Sequence, residues 1–236
     1  MKLLLIFFFF TSLFAKELTV AVAANVTYAI NDLVNEFKKT NPGVNVRVIL
    51  GSSGKLTAQI QNNAPYDLFL SANMKYPKYL YEKGLAYTKP VVYAKGAIAF
   101  VSFKHDLKSI KDIESLQNVA VPNPKLAPYG AASIEFLRNS HINPKNIIYT
   151  QTITQALSYA ITATDGAFIA KSALYSPKLN MKKSVLEIPS KFYTPIKQGM
   201  VILTKAKDNM DAYKFFVFML SKPAQKILKK YGYIVE

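Results

Sequence analysis

Four short stretches combine small residues, hydroxyls and amides in a way that suits the capture of an anion. They are AANVTY (23–28), GSSGKL (51–56), APYGAA (127–132) and QTITQA (151–156). Of these, GSSGKL has the outline of a phosphate-wrapping P-loop. That motif needs Gly, four residues, then Gly-Lys and a Ser or Thr whose hydroxyl reaches the metal. Here two residues separate Gly51 from Gly54, and Leu56 takes the hydroxyl position. The loop is too short to encircle a polyphosphate. Gly51 and Gly54 instead permit a tight turn that aims the hydroxyls of Ser52 and Ser53, with nearby backbone amides, at one small anion. Each residue also has a plainer reading. Ser52, Ser53 and Asn25 suit helix N-caps, Tyr129 suits a packed aromatic, and Ile153 suits the core. What favours a shared site is that all four loops open helices, whose first amides lack partners and carry the positive end of the helix dipole.

Other chemistries fail on residue type. The chain has no cysteine, and its histidines are His105 and His141, so thiolate and histidine metal clusters are excluded. The four loops contain no Asp, Glu, His or Cys. A hydrolase needs a nucleophile with a base, or metal ligands, and the loops supply neither. The formal charge of +16 is spread along the chain rather than gathered with aromatics on one face. It therefore reads as a solvated surface that attracts small anions, not as a nucleic-acid footprint. Lys55 reads as one of these solvated charges. With no carboxylate in the loops to accept a proton, the site should refuse phosphate, which keeps at least one proton at neutral pH.

The elements that position these loops follow from periodicity. Residues 1–15, MKLLLIFFFFTSLFA, read as a signal peptide cleaved before Lys16; the apolar run at 3–10 is far short of the roughly 20 residues that span a bilayer. Residues 18–24 form a continuous apolar run, as in a buried strand. A helical stripe follows at Val26, Ala29, Ile30, Leu33, Val34 and Phe37. A strand at 44–50 places Val44, Val46, Val48 and Leu50 on one face, and a helix and a strand at 67–72 complete a β-α-β-α-β unit. A second cycle begins at 96–103 and runs through strands at 118–123, 146–151 and 166–170, with helices from Gly130 and Thr152. A strand at 199–204 and two closing helices end the chain. No flexible linker separates the cycles. The expected division is 1–15 signal peptide, 16–95 first lobe, 96–200 second lobe, and 201–236 returning to the first.

In this order the loops resemble those of the periplasmic molybdate-binding proteins that feed ABC transporters. VAVAANVTYAI, GSSGKLTAQIQNNAPYDLFLSAN, NPKLAPYGAAS, TQTITQALSYA, GAFIAKSAL and KPAQKILKKYGY carry the resemblance. It implies an α/β, two-lobed periplasmic-binding-protein fold (type II), each lobe a mostly parallel sheet flanked by helices, with the ligand in the cleft. Such a protein closes on a bare tetrahedral oxyanion through hydroxyls and amides. Ser53 matches the family's serine of the second loop, Tyr129 the backbone donor of the third, and Ile153 that of the fourth. Many members have serine where this chain has Asn25, flanked by Ala24; Ser52 adds a further hydroxyl. Some members use a tyrosine where Ile169 stands. The resemblance implies an exported, non-enzymatic monomer that captures molybdate or tungstate, needs no cofactor, binds no nucleic acid and serves an inner-membrane permease from the periplasm. Sulfate or phosphate binding, or a surface adhesin on the same fold, are the alternatives.

Overall fold

The computed structural model describes residues 17–181 and 183–235. The signal peptide expected at 1–15 lies outside the described residues, within which no helix is long and apolar enough to cross a membrane. The described residues form two five-stranded sheets. The first takes its strands from β1 (Leu18–Ala23), β2 (Val46–Gly51), β3 (Leu68–Leu70), β4 (Val91–Gly96) and β10 (Ile196–Ile202), in the order β2-β1-β3-β10-β4. β1 lies parallel to β2 and β3, while β10 is antiparallel to both β3 and β4. One strand of this sheet is thus reversed and the rest share a direction.

The second sheet, of β5 (Ile98–Ser102), β6 (Asn118–Pro122), β7 (Asn146–Thr150), β8 (Gly166–Ala170) and β9 (Ser184–Glu187), has the order β7-β6-β8-β5-β9. There β5 is the reversed strand. The sheets are the centres of two α/β lobes. The chain crosses between them at 96–98 and again between β9 and β10.

Strand position explains the hydropathy pattern. β1 is central and buried along its whole length, hence its unbroken apolar run. β2 is an edge strand, and the face expected to be buried is covered only in part: Val46 and Val48 are half-buried and Leu50 is 47% exposed. The strand expected at 199–204 starts earlier, at Ile196, and carries the fully buried Gln198. A polar residue inside an apolar strand hid that start.

Among the described residues seven α-helices cover the sheets: α1 (Ile30–Thr40), α2 (Ser53–Gln61), α3 (Lys75–Glu82), α4 (Pro128–Asn139), α5 (Ile153–Thr162), α6 (Met210–Met219) and α7 (Lys222–Lys230). The helical stripe read from Val26 is interrupted. Ala24–Val26 is a single 3-10 turn, fastened by the Thr27 hydroxyl donating to the Ala24 carbonyl at 2.7 Å, and α1 starts at Ile30. Val26 and Ala29 are nevertheless fully buried, so turn and helix share one apolar face, which periodicity reads as a single element. α1 packs on α6 edge to face, with the Phe37 and Phe215 ring centroids 5.0 Å apart, the geometry aromatic rings prefer. In the second lobe Phe168 meets Phe100 and Phe136 edge to face, with ring centroids 5.0 and 5.6 Å away.

Candidate functional site

β1, β2, β6 and β7 end at the same cleft, and the chain turns there into a 3-10 turn, α2, α4 and α5. Ser53 is the first residue of α2, Tyr129 the second of α4 and Ile153 the first of α5. Amides at these positions have no partner within their own helix. Local sequence sets each start. Pro128 occupies the first turn of α4, where a missing N–H costs nothing. Thr152 caps α5 by accepting from the Gln155 amide at 3.1 Å.

One small cavity lies where these starts meet. Ala24, Asn25, Ser52, Ser53, Tyr129 and Ile153 all line it, so the structure brings the six candidate ligand-binding residues of the four loops together. Ala23, Ala72, Ala127 and Pro128 complete the wall. The wall has no Asp, Glu, Lys, Arg or His. The cavity is small: the space it leaves is about 10 Å³, the scale of one water-sized sphere. Larger hollows of about 550 and 730 Å³ lie beside α1, α6 and α7; they are surface grooves on which no helix starts converge. Ile169 is buried in β8, packed in the second lobe's core, and does not reach the cavity. Lys55 is exposed.

The two serines differ in what they do. Ser53 is 1% exposed, and its Oγ accepts from the Ala72 amide at 2.9 Å, which leaves its own proton to give. Ser52 is the N-cap of α2 by position yet makes no side-chain capping bond. The capping reading therefore does not account for its hydroxyl.

Behind the first loop lies a polar cluster that local sequence did not reveal. Asn25 is 1% exposed. Its Nδ2 donates to Gln198 Oε1 at 2.7 Å and to the Tyr233 hydroxyl at 3.0 Å. The Tyr93 hydroxyl donates to Gln198 Oε1 at 2.9 Å, and Gln198 Nε2 to the Tyr129 hydroxyl at 3.4 Å. The Asn25 carbonyl accepts from the Ser172 and Tyr233 hydroxyls, each at 2.7 Å. Burial pushes the Tyr93 and Tyr129 phenols well above their ordinary value and raises that of Tyr233 to about 12. All three are neutral at physiological pH. Gly96 lies at the crossing between lobes because a Cβ there would stand 2.0 Å from the Tyr129 hydroxyl. A glutamine inside the apolar strand IKQGMVI was the one sequence signal for this cluster.

The chain matches a family of bacterial extracellular solute-binding proteins over residues 18–234. It is a bacterial extracellular solute-binding protein. Among relatives of this solute-binding protein, the molybdate-binding protein ModA of Azotobacter vinelandii is 32% identical over 228 residues, covering 93% of this chain and 90% of that one. ModA of Rhodobacter capsulatus is 32% identical over 231 residues, covering 94% and 90%. The solved A. vinelandii periplasmic molybdate-binding protein superposes with a TM-score of 0.84 at 29% identity, covering 93% of this chain and all of that one. A sulfate-binding protein, SubI of Mycobacterium tuberculosis, shares the fold at a TM-score of 0.79 and 13% identity.

Proposed function

We propose that this solute-binding protein captures molybdate, and tungstate with it, and hands the oxyanion to the permease of an ABC transporter. The observation that carries this reading is the convergence of helix starts from both lobes on one small cavity without a charged side chain. A dianion there is balanced by amide and hydroxyl dipoles fixed in place before it arrives. The donors are the amides of Ser53, Tyr129 and Ile153 and the hydroxyls of Ser52 and Ser53, with Asn25 and Ala24 closing the first loop. Because two of these loops belong to each lobe, the ligand favours the closed arrangement by its contacts to both. The names of the two ModA relatives support molybdate as the ligand.

The cavity holds no nucleophile–base pair, and among the described residues no cluster of acids or histidines suits a metal ion. In this reading the protein binds and releases its ligand unchanged, needs no cofactor, and works as an exported monomer in the periplasm with no nucleic-acid partner. Thermal unfolding tests the ligand assignment, since a ligand that binds only the native state raises the melting temperature. Molybdate in millimolar excess should raise it by several degrees. No shift would refute the assignment.

A further inference from the structure

Asn25 Oδ1 is a buried side-chain polar atom that, among the described residues, has no hydrogen-bond partner. Its Nδ2 is held by Gln198 and Tyr233, neither of which lines the cavity, whereas Asn25 does. The amide thus turns both N–H groups away from the cavity and offers it an acceptor. A fully deprotonated oxyanion has nothing to donate, so this arrangement opposes it. It also means that the loops do contain an acceptor for a phosphate proton, although they hold no carboxylate.

A side-chain amide has a second arrangement with its oxygen and nitrogen exchanged, occupying nearly the same space. Asn25 and Gln198 must exchange together, because turning one alone sets two carbonyls or two NH₂ groups face to face at 2.7 Å. With both turned, Gln198 Nε2 donates to Asn25 Oδ1 and to the Tyr93 hydroxyl, which can donate onward to the Ser71 carbonyl 3.5 Å away. Gln198 Oε1 then accepts from the Tyr129 hydroxyl. Ser172 keeps the Asn25 carbonyl, so the Tyr233 proton is free to turn to Asn25 Oδ1. Gln198, Tyr93, Tyr129 and Tyr233 stay paired, Asn25 Oδ1 gains partners, and Asn25 Nδ2 faces the cavity as a donor that a bound oxyanion would satisfy.

Resting on the oxyanion reading above, we infer that Gln198 is the positioning residue that decides whether Asn25 presents a donor or an acceptor to the ligand. With the pair turned, the site presents a donor that suits a fully deprotonated oxyanion and withholds the acceptor that a protonated one needs. Tyr129 contributes twice: its backbone amide faces the ligand, and its hydroxyl pins the turned Gln198.

The test is calorimetric titration at pH 7 with molybdate and, separately, with inorganic phosphate. In Gln198→Met the Asn25 amide loses the partner that orients it. Molybdate should bind about tenfold more weakly, and the preference for molybdate over phosphate should fall by about tenfold or more, the scale of one unpaired buried group. Tyr129→Phe should move the preference the same way by less. Equal losses for both ligands, with the preference unchanged, would overturn the inference and leave Gln198 a structural residue. A wild-type protein that ignores molybdate would instead remove the oxyanion reading itself. Should the variants fail to fold, the wild-type protein labelled with ¹⁵N at side-chain amides decides. Saturating molybdate should shift the NH₂ signals of both Asn25 and Gln198, and a shift at Asn25 alone would overturn the coupling.

Discussion

The backbone amide of Gly54 donates to the carbonyl of Leu126 across the cleft at 2.9 Å, joining the start of α2 in the first lobe to the loop before α4 in the second. Beside it the Tyr76 hydroxyl donates to the Lys125 carbonyl at 3.2 Å. A Cβ on Gly54 would stand 2.8 Å from the Tyr76 oxygen and 3.1 Å from the Leu126 Cα and carbonyl oxygen. A flexible side chain can yield at that range; backbone cannot do so without parting the lobes.

Gly54→Ala should therefore weaken ligand binding about tenfold, near 1.4 kcal/mol, by opposing closure. The ligand-free protein should melt no lower, since alanine favours the helix over glycine by about 1 kcal/mol. Calorimetry with thermal melts reads the split. Small-angle scattering should show wild-type protein compacting with molybdate more than the variant does.

Ser52→Ala and Ser53→Ala should differ in stability while both lose affinity. A hydrogen bond to a charged ligand contributes about 1.5–3 kcal/mol, or roughly ten- to a hundredfold. Ser53→Ala also strands the Ala72 amide that its Oγ accepts, so its melting temperature should fall as well. Ser52 makes no capping bond, so Ser52→Ala should melt like wild type. Unchanged dissociation constants in both variants would remove the second loop from the site.

Gly51, Gly54, Gly130 and Thr152 made the site loops legible in the sequence, because turns and helix starts depend on residues near one another in the chain. The Asn25–Gln198–Tyr233 cluster was not legible. Its members lie 173 and 208 positions from Asn25 and meet only after two crossings between lobes. The 3-10 turn at Ala24–Val26 was missed for a related reason: its buried positions continue the stripe of α1, and hydropathy records burial rather than hydrogen-bond spacing.

Lys55→Gln should change affinity by less than about twofold. The side chain is exposed and its charge is screened within about 10 Å at ordinary salt. A loss larger than that of Ser53→Ala would mean that the ligand sits on an open electrostatic patch rather than inside the cavity.

Alkaline pH should unfold the protein through its buried tyrosines. The folded-state pKa of Tyr233 is raised to about 12 from an ordinary value of 10.0, and burial raises Tyr93 and Tyr129 as well. The unfolded chain thus gives up these protons first, and stability that is complete below about pH 10 is lost as pH climbs towards 12. Melting temperatures followed from pH 8 to about pH 11.5 should stay level and then fall steeply above about pH 10. A level curve throughout would contradict the buried, neutral cluster.

The most direct measurement is a calorimetric titration of the purified protein at pH 7 with molybdate, repeated in the presence of excess phosphate and of excess sulfate. The account predicts saturation at one molybdate per chain, with an affinity that excess phosphate leaves nearly unchanged, because the turned Asn25 amide offers a donor and a phosphate hydroxyl left without an acceptor is penalised about ten- to a hundredfold. Absence of molybdate binding, or phosphate displacing molybdate at comparable concentration, would contradict it.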